Sequence, residues 1–175
     1  MRLLVLGSAG MLGRKLVERC LAENVATDIR AFDVVAAGFG DARVTEQVGD
    51  VADKTTLDAL VGDRPDTIVH LAAIVSGEAE ADFEKGYRTN LAATQALFEA
   101  IRKQKDYCPR VVFASSIAVF GAPLPNPVPD THHRVPRTSY GTQKAIAELL
   151  LNDYTRRGFM DGMALRLPTV CVRPG

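Results

Sequence analysis

Tyr140 and Lys144 stand four residues apart in the stretch SYGTQKAIAELL, Ser139 to Leu150. That spacing is about one helical turn, so the two side chains share a helix face. A free tyrosine titrates at about 10. An ammonium group beside it stabilises the phenolate and lowers that pKa. Such a phenolate can take the proton of a substrate hydroxyl while hydride leaves the same carbon. An isolated match of this kind is more often a surface tyrosine near a surface lysine. This one is not isolated. The run FASSIAVFG ends an apolar stretch with Ser115 and Ser116. A serine at a strand's carboxyl end lies where open α/β sheets bind ligands, and its hydroxyl can hydrogen-bond a reacting oxygen.

A second constellation lies at the N-terminus. LGSAGMLG spaces Gly7, Gly10 and Gly13 three apart, between an apolar run and a helical pattern. The first glycine permits a tight turn, the second lets the backbone approach a pyrophosphate, and the third lets helix and strand pack closely. The helix N-terminus then offers free N–H groups and a positive dipole end to phosphates. Gly7, Ser8, Ala9, Gly10, Met11 and Gly13 are the cofactor-binding candidates of this loop. Asp33 ends the next apolar run, where its carboxylate would accept hydrogen bonds from an adenosine ribose and repel a 2′-phosphate. The pattern therefore predicts NAD over NADP.

The elements that must position these groups follow from periodicity. RLLVLG reads as a strand buried on both faces, and MLGRKLVERCLAE carries Leu12, Leu16, Val17 and Leu21 at helical spacing. DIRAFDV and the weaker ARVTEQVGDV read as strands. DKTTLDALVG reads as a short helix capped by Asp53, and DTIVHLAAI as a strong strand. EADFEKGYRTNLAATQALFEAIRKQ reads as one long helix. RVVFASS, SYGTQKAIAELLLNDYTRRG and GMALRLPTVCV follow as strand, helix and last strand. Strands alternating with helices imply right-handed crossovers and a parallel sheet covered on both faces: an α/β, doubly wound Rossmann fold. Residues 1–175 are expected to form one dinucleotide-binding domain, the N-terminal part of a longer enzyme.

Composition narrows the partners. Of 175 residues 47% are apolar, enough for a core. Basic and acidic residues balance at 21 each, so the chain lacks the charge excess that would mark a nucleic-acid or anionic-membrane partner. No apolar run is long enough to span a bilayer, and MRLLVLGSAG is too short for a signal peptide. Cys20, Cys108 and Cys171 match no zinc or redox spacing and fit reduced thiols in a cytoplasmic protein. His70 ends a buried strand and reads as a packing residue. His132 and His133 lie in a polar loop without a partner at metal-ligand spacing, so no metal is expected. The prolines at 123, 125, 127, 129 and 136 exclude regular structure from that loop, which would rim the site. Arg134, Arg137 and Arg173 flank it as candidates for an anionic substrate.

Taken together, GSAGMLG, Asp33, GDVAD, LAAIVS, TNLAATQALFEA, SSIAVFG, YGTQK and LRLPTVCVRPG resemble the extended short-chain dehydrogenase/reductase family, which includes the sugar-nucleotide epimerases and dehydratases. The resemblance runs over essentially the whole chain. It implies a catalytic triad of Ser116, Tyr140 and Lys144, with Lys144 also holding the nicotinamide ribose. It places Asp50 and Val51 at the adenine, Leu71, Ala72 and Ala73 beside the cofactor, Asn90 as a support for the central strands, and Leu167 and Pro168 near the nicotinamide. It also implies a homodimer. The helices matching Glu80–Gln104 and Ser139–Arg157 would pair into a four-helix bundle with Leu149, Leu150 and Tyr154 exposed for contact. Phe120 stands where many relatives carry tyrosine, which removes a hydroxyl and suits a small substrate without a nucleotide tail. Within the family the chain looks most like the members that oxidise the 2-hydroxyl of a four-carbon sugar acid such as D-erythronate. For that aldonate, Ser76 is a candidate for a hydroxyl and Arg173 for the carboxylate. A nucleotide-sugar epimerase or dehydratase is the alternative, and a non-catalytic dinucleotide-sensing module a remoter one.

Overall fold

The computed structural model describes residues 1–170. In chain order its elements are β1 (Arg2–Leu6), α1 (Met11–Ala22), β2 (Asp28–Asp33), β3 (Val44–Val48), α2 (Lys54–Gly62), β4 (Thr67–His70), α3 (Ser76–Ala81) and α4 (Phe83–Gly86). A π-helical turn (Tyr87–Ala92) then runs into α5 (Ala93–Lys103). β5 (Arg110–Ser116), a 3-10 turn (Ile117–Val119), α6 (Ser139–Arg156) and β6 (Asp161–Leu167) complete the fold. The six strands form one parallel sheet in the order β3-β2-β1-β4-β5-β6. This is the expected doubly wound topology.

Strand β1 shows why the sequence is apolar without alternation: Leu3, Leu4, Val5 and Leu6 are all buried. Leu4 and Leu6 enter a core with α2, α5 and α6, while Leu3 and Val5 meet Val17 and Cys20 of α1 on the other face. Each such side chain contributes about 1.5–3 kcal/mol by leaving water. The chain leaves β1 toward one face and returns from β4 toward the other. That divergence opens a crevice at the carboxyl edge between these neighbouring strands, where such folds bind ligands.

Three expected elements differ. The strand read over DTIVHLAAI stops at His70, because its partner β1 ends opposite it at Leu6 and turns away at Gly7. The backbone of 71–74 is thereby freed to wall the crevice. The long helix from Glu80 is interrupted at Asp82, whose backbone is extended and whose carboxylate caps the next segment by accepting the Lys85 N–H. The π turn then swings Asn90 inward, where its side chain bonds the main chain of Ile74 through both oxygen and nitrogen. The last strand ends at Leu167, and its expected continuation to Val172 extends beyond the described residues. Among the described residues no helix is long and apolar enough to cross a membrane.

Gly13 lets α1 lie against the turn before it. A Cβ there would sit 2.2 Å from the Gly7 carbonyl oxygen and 2.7 Å from Ser8 Cα, both main-chain atoms that cannot rotate away. At Gly62, near the end of α2, a Cβ meets nothing within 4 Å. Gly13→Ala is expected to destabilise by about 2–3 kcal/mol through backbone displacement. Gly62→Ala should be neutral or stabilise by about 0.5–1 kcal/mol. Urea unfolding of the two variants checks the contrast.

Candidate active site

Gly7 turns the chain with φ at 89°, and its N–H and that of Ser8 donate to the Phe32 carbonyl at 2.9 and 3.2 Å. The Ala9 N–H donates to Asp33 Oδ2 at 2.8 Å, and Asp33 Oδ1 accepts its neighbour Val34 N–H at 2.7 Å. Asp33 therefore shapes the loop as well as facing the crevice. Helix α1 opens at Gly10 with no side-chain cap and no acidic residue in its first turn, which leaves its first N–H groups and positive dipole end available.

The crevice is a cavity of about 520 Å³. Of the predicted cofactor residues, Gly7, Ala9, Gly10, Asp33, Asp50, Val51, Leu71, Ala72 and Ala73 line it. The space beside Gly10 is open, since a Cβ there would meet nothing closer than 3.5 Å. An uncapped helix end, an open glycine face and a strand-end carboxylate in one cleft fit the pyrophosphate and ribose of a dinucleotide.

Ser8, Met11, Gly13 and Asn90 do not line this cavity. Ser8 is buried, Met11 is exposed on α1, and Gly13 serves helix packing. Asn90 is 1% exposed and sits behind the wall, with Nδ2 donating to Ile74 O and to Gln143 Oε1 at 3.1 and 2.8 Å. It supports the crevice backbone after β4 and not a strand itself, and it does not open onto the cavity. Ser76 begins α3 next to the wall residue Ile74. Pro168 follows β6, Leu167 ends it, and Arg173 lies outside the described residues.

Helix α6 brings the other constellation together. Thr138 caps it by accepting the Gly141 N–H at 3.0 Å. A Cβ at Gly141 would lie 2.2 Å from the Ala118 carbonyl oxygen, so only glycine lets the helix start press on the turn after Ser116. Ser116 accepts the Ala118 N–H at 3.1 Å and lies near enough to Tyr140 to lower its phenol pKa. Lys144 is 2% exposed. Its Nζ donates to the Ala114 carbonyl at 2.8 Å and lies 4.6 Å from the Phe113 ring centre and 5.7 Å from that of Tyr140. Ser116, Tyr140 and Lys144 thus converge at the carboxyl end of β5.

Their electrostatics correct one expectation. Burial pushes the Tyr140 phenol up, and the influence of Ser116 offsets only part of this. In the protein alone, desolvation outweighs the lowering expected from Lys144. Burial also depresses Lys144 itself, to about 8. His70 is buried against Thr94 at 2.9 Å, and desolvation together with the Lys144 charge drops it to about 3, so it stays neutral. That agrees with its reading as a packing residue.

Two more expectations change. Arg134 is not free for an anion by its whole fork, because its Nε donates to Glu148 at 2.7 Å. Phe120 does more than lack a hydroxyl: the Arg166 guanidinium lies 4.9 Å over its ring and His132 packs on it at 5.6 Å. Glu148 and Arg166 escaped the sequence reading. The available signal was Glu148's place one turn beyond Lys144 and two beyond Tyr140, which puts a carboxylate on the buried face of α6. Leu150 and Tyr154 also differ from expectation. Both pack on the core, and Tyr154 bonds Glu99, leaving Leu149 as the exposed apolar residue of the three.

A parallel sheet with a dinucleotide crevice at its switch point, and a serine, tyrosine and lysine converging on the adjacent strand, defines a nucleotide-cofactor protein of the doubly wound class. Residues 3–173 match the NAD dependent epimerase/dehydratase family, and the chain belongs to that family. Its cofactor is accordingly NAD. The chain is 46% identical over 185 residues to a D-erythronate dehydrogenase of Cupriavidus necator, covering all of this chain and 57% of that protein. It is 44% identical over 179 residues to a D-erythronate dehydrogenase of Haemophilus influenzae, covering all of this chain and 56% of that one. Among solved structures it resembles a nucleoside-diphosphate-sugar epimerase from Agrobacterium tumefaciens, with a TM-score of 0.92 and 53% identity over 100% of this chain and 54% of that chain. The chain therefore spans little more than half the length of these relatives.

Lys144 sets a pH-dependent stability. Its folded pKa of about 8 lies below the ordinary 10.5, so protons favour the unfolded chain. The penalty is fully present below about pH 8 and is relieved as pH climbs from there toward 10.5. The difference corresponds to about 3 kcal/mol, against about 1 kcal/mol for the hydrogen bond to Ala114. Lys144→Met is therefore expected to stabilise by about 2 kcal/mol at pH 7 and to lose that gain near pH 10. Urea midpoints at the two pH values test it.

Proposed function

We propose that this chain supplies the NAD-binding and proton-transfer residues of a dehydrogenase that oxidises the C2 hydroxyl of a short sugar acid such as D-erythronate. The observation that carries the reading is the convergence of Ser116, Tyr140 and Lys144 at the carboxyl end of β5, the neighbour of the strand whose following residues wall the crevice. NAD, when bound, accepts the hydride. Tyr140 would take the hydroxyl proton, and Ser116 would hydrogen-bond the reacting oxygen and hold it in line. Lys144 would supply positive charge that favours the phenolate, and its burial keeps that charge from being screened by water. The alcohol thus loses a hydride to NAD and a proton to Tyr140, leaving a carbonyl. The names of the two curated relatives favour the aldonate, and Arg173 is the proposed carboxylate partner. A homodimer through α5 and α6, with Leu149 at the contact, and a cytoplasmic location belong to the same proposal.

A second reading, a nucleotide-sugar epimerase with transient oxidation on the same residues, is favoured by the name of the Agrobacterium structure. A sensing module without turnover is disfavoured by Lys144, since an unpaired buried lysine destabilises a fold that has no use for its charge. The test is a panel on the full-length protein. With D-erythronate and NAD, NADH should accumulate in step with substrate consumed, and NADP should support at least tenfold less because Asp33 repels a 2′-phosphate. UDP-sugars should give no net NADH and no isomerised product. Interconversion of UDP-sugars without turnover of any C4–C6 aldonate overturns the assignment in favour of the epimerase.

A further inference from the structure

Glu148 sits where four pieces of the fold meet. It is 2% exposed and lies one helical turn beyond Lys144, which lies one turn beyond Tyr140. The three side chains descend one face of α6 and engage three successive residues of β5. Tyr140 meets Ser116, Lys144 meets the Ala114 carbonyl, and Glu148 Oε1 accepts the Ser115 hydroxyl at 2.6 Å. The same carboxylate accepts Arg134 Nε at 2.7 Å and Arg166 Nε and Nη2 at 3.0 and 2.9 Å. Arg166 Nη1 in turn donates to the Asp130 carbonyl at 2.9 Å, and its guanidinium covers the Phe120 ring.

The segment 120–138 needs such an anchor. It is proline-rich, mostly exposed and without a strand or helix. Beyond the contacts of Thr138 with the first turn of α6, its side-chain hydrogen bonds to the rest of the fold among the described residues are Arg134 to Glu148 and Asp130 O to Arg166, and the second depends on Arg166 being held by Glu148. Burial pushes the Glu148 carboxyl up, but Arg166, Ser115 and Arg134 together reverse this, so it stays ionised at neutral pH. Removing its charge would leave two guanidinium groups facing each other without a counter-ion. The segment begins four residues after Ser116 and ends two before Tyr140, so its placement and that of the two reacting side chains are coupled.

We propose that Glu148 is a positioning residue, holding Ser116 and the 120–138 segment in register with Tyr140 through Ser115, Arg134 and Arg166. This rests on the reading of Ser116 and Tyr140 as the reacting pair. The experiment uses the full-length protein and two variants. Arg134→Gln cuts only the tie to the segment, and Glu148→Gln keeps the shape but removes the charge. Amide hydrogen exchange over 120–138 should rise at least tenfold in both, while NAD affinity stays within twofold, since Glu148 bonds none of the residues that line the dinucleotide crevice. Arg134→Gln should raise KM for the aldonate about tenfold with kcat within about threefold, and Arg134→Lys should recover much of this. Glu148→Gln should also lower kcat at least tenfold because Ser116 shifts. The proposal is overturned if exchange in the segment is unchanged in Arg134→Gln. It is also overturned if Glu148→Gln loses NAD affinity, turnover and unfolding midpoint in parallel, as a purely structural residue would. If Glu148→Gln does not fold, Arg134→Gln decides alone. Wild-type turnover in Ser116→Ala would instead sink the catalytic reading, and the exchange data would still decide whether Glu148 anchors the segment.

Discussion

The carboxyl edge of this sheet depends on a lysine taken out of water and held by one carbonyl. Lys144 has no carboxylate in hydrogen-bond contact among the described residues. Its ammonium rests on the Ala114 oxygen and the faces of Phe113 and Tyr140. That arrangement costs folding free energy, and the depressed pKa records the cost. It persists because the surrounding contacts over-determine it. Gly141 lets α6 start against the turn after Ser116, Thr138 caps the helix, and Glu148 ties its third turn to β5. A positive charge stored in a dry pocket acts more strongly on a neighbouring phenol than one in water. The energetic penalty and the chemical capability are the same feature.

Two faces of the sheet meet at this edge. On one side the glycine turn, the open end of α1 and Asp33 make a cleft suited to a dinucleotide. On the other, β5 and α6 present hydroxyl, phenol and ammonium groups. The link between them is the frame of His70, Asn90 and Gln143, buried polar groups that hold β4, the segment after it and α6 in place. Their hydrogen bonds are internal and tie the cleft wall to the reacting helix. The ring of Phe120 beneath Arg166 extends these contacts toward the segment that follows Ser116.

Much of this was legible from residues alone. The strand–glycine–helix context identified the cleft, because only a turn at Gly7 and close packing at Gly13 call for glycine at those spacings. The Tyr140–Lys144 interval identified the reacting face, since a helix leaves little choice at that separation. What escaped has physical reasons. The break at Asp82 and the π turn fall inside an unbroken apolar period, so periodicity continued across a change in backbone path. Strand β4 ended early because its neighbour did, which is a property of pairing and not of its own residues. The sign of the Tyr140 shift required knowing how deeply it is buried. Glu148's spacing from Lys144 marks it as facing inward, but only its pairing with Arg166, 18 residues on, reveals the two as one unit.

The central claim is that Tyr140 accepts the substrate proton while leaving dinucleotide binding to the cleft. Tyr140→Phe removes one hydroxyl and little volume, so it separates the two functions in a single variant. Measured on the full-length protein, NAD affinity should stay within about twofold of wild type, while turnover falls by about two to four orders of magnitude, the range contributed by a positioned acid–base group. Near-normal turnover with intact NAD binding would contradict the account and remove Tyr140 from the chemistry.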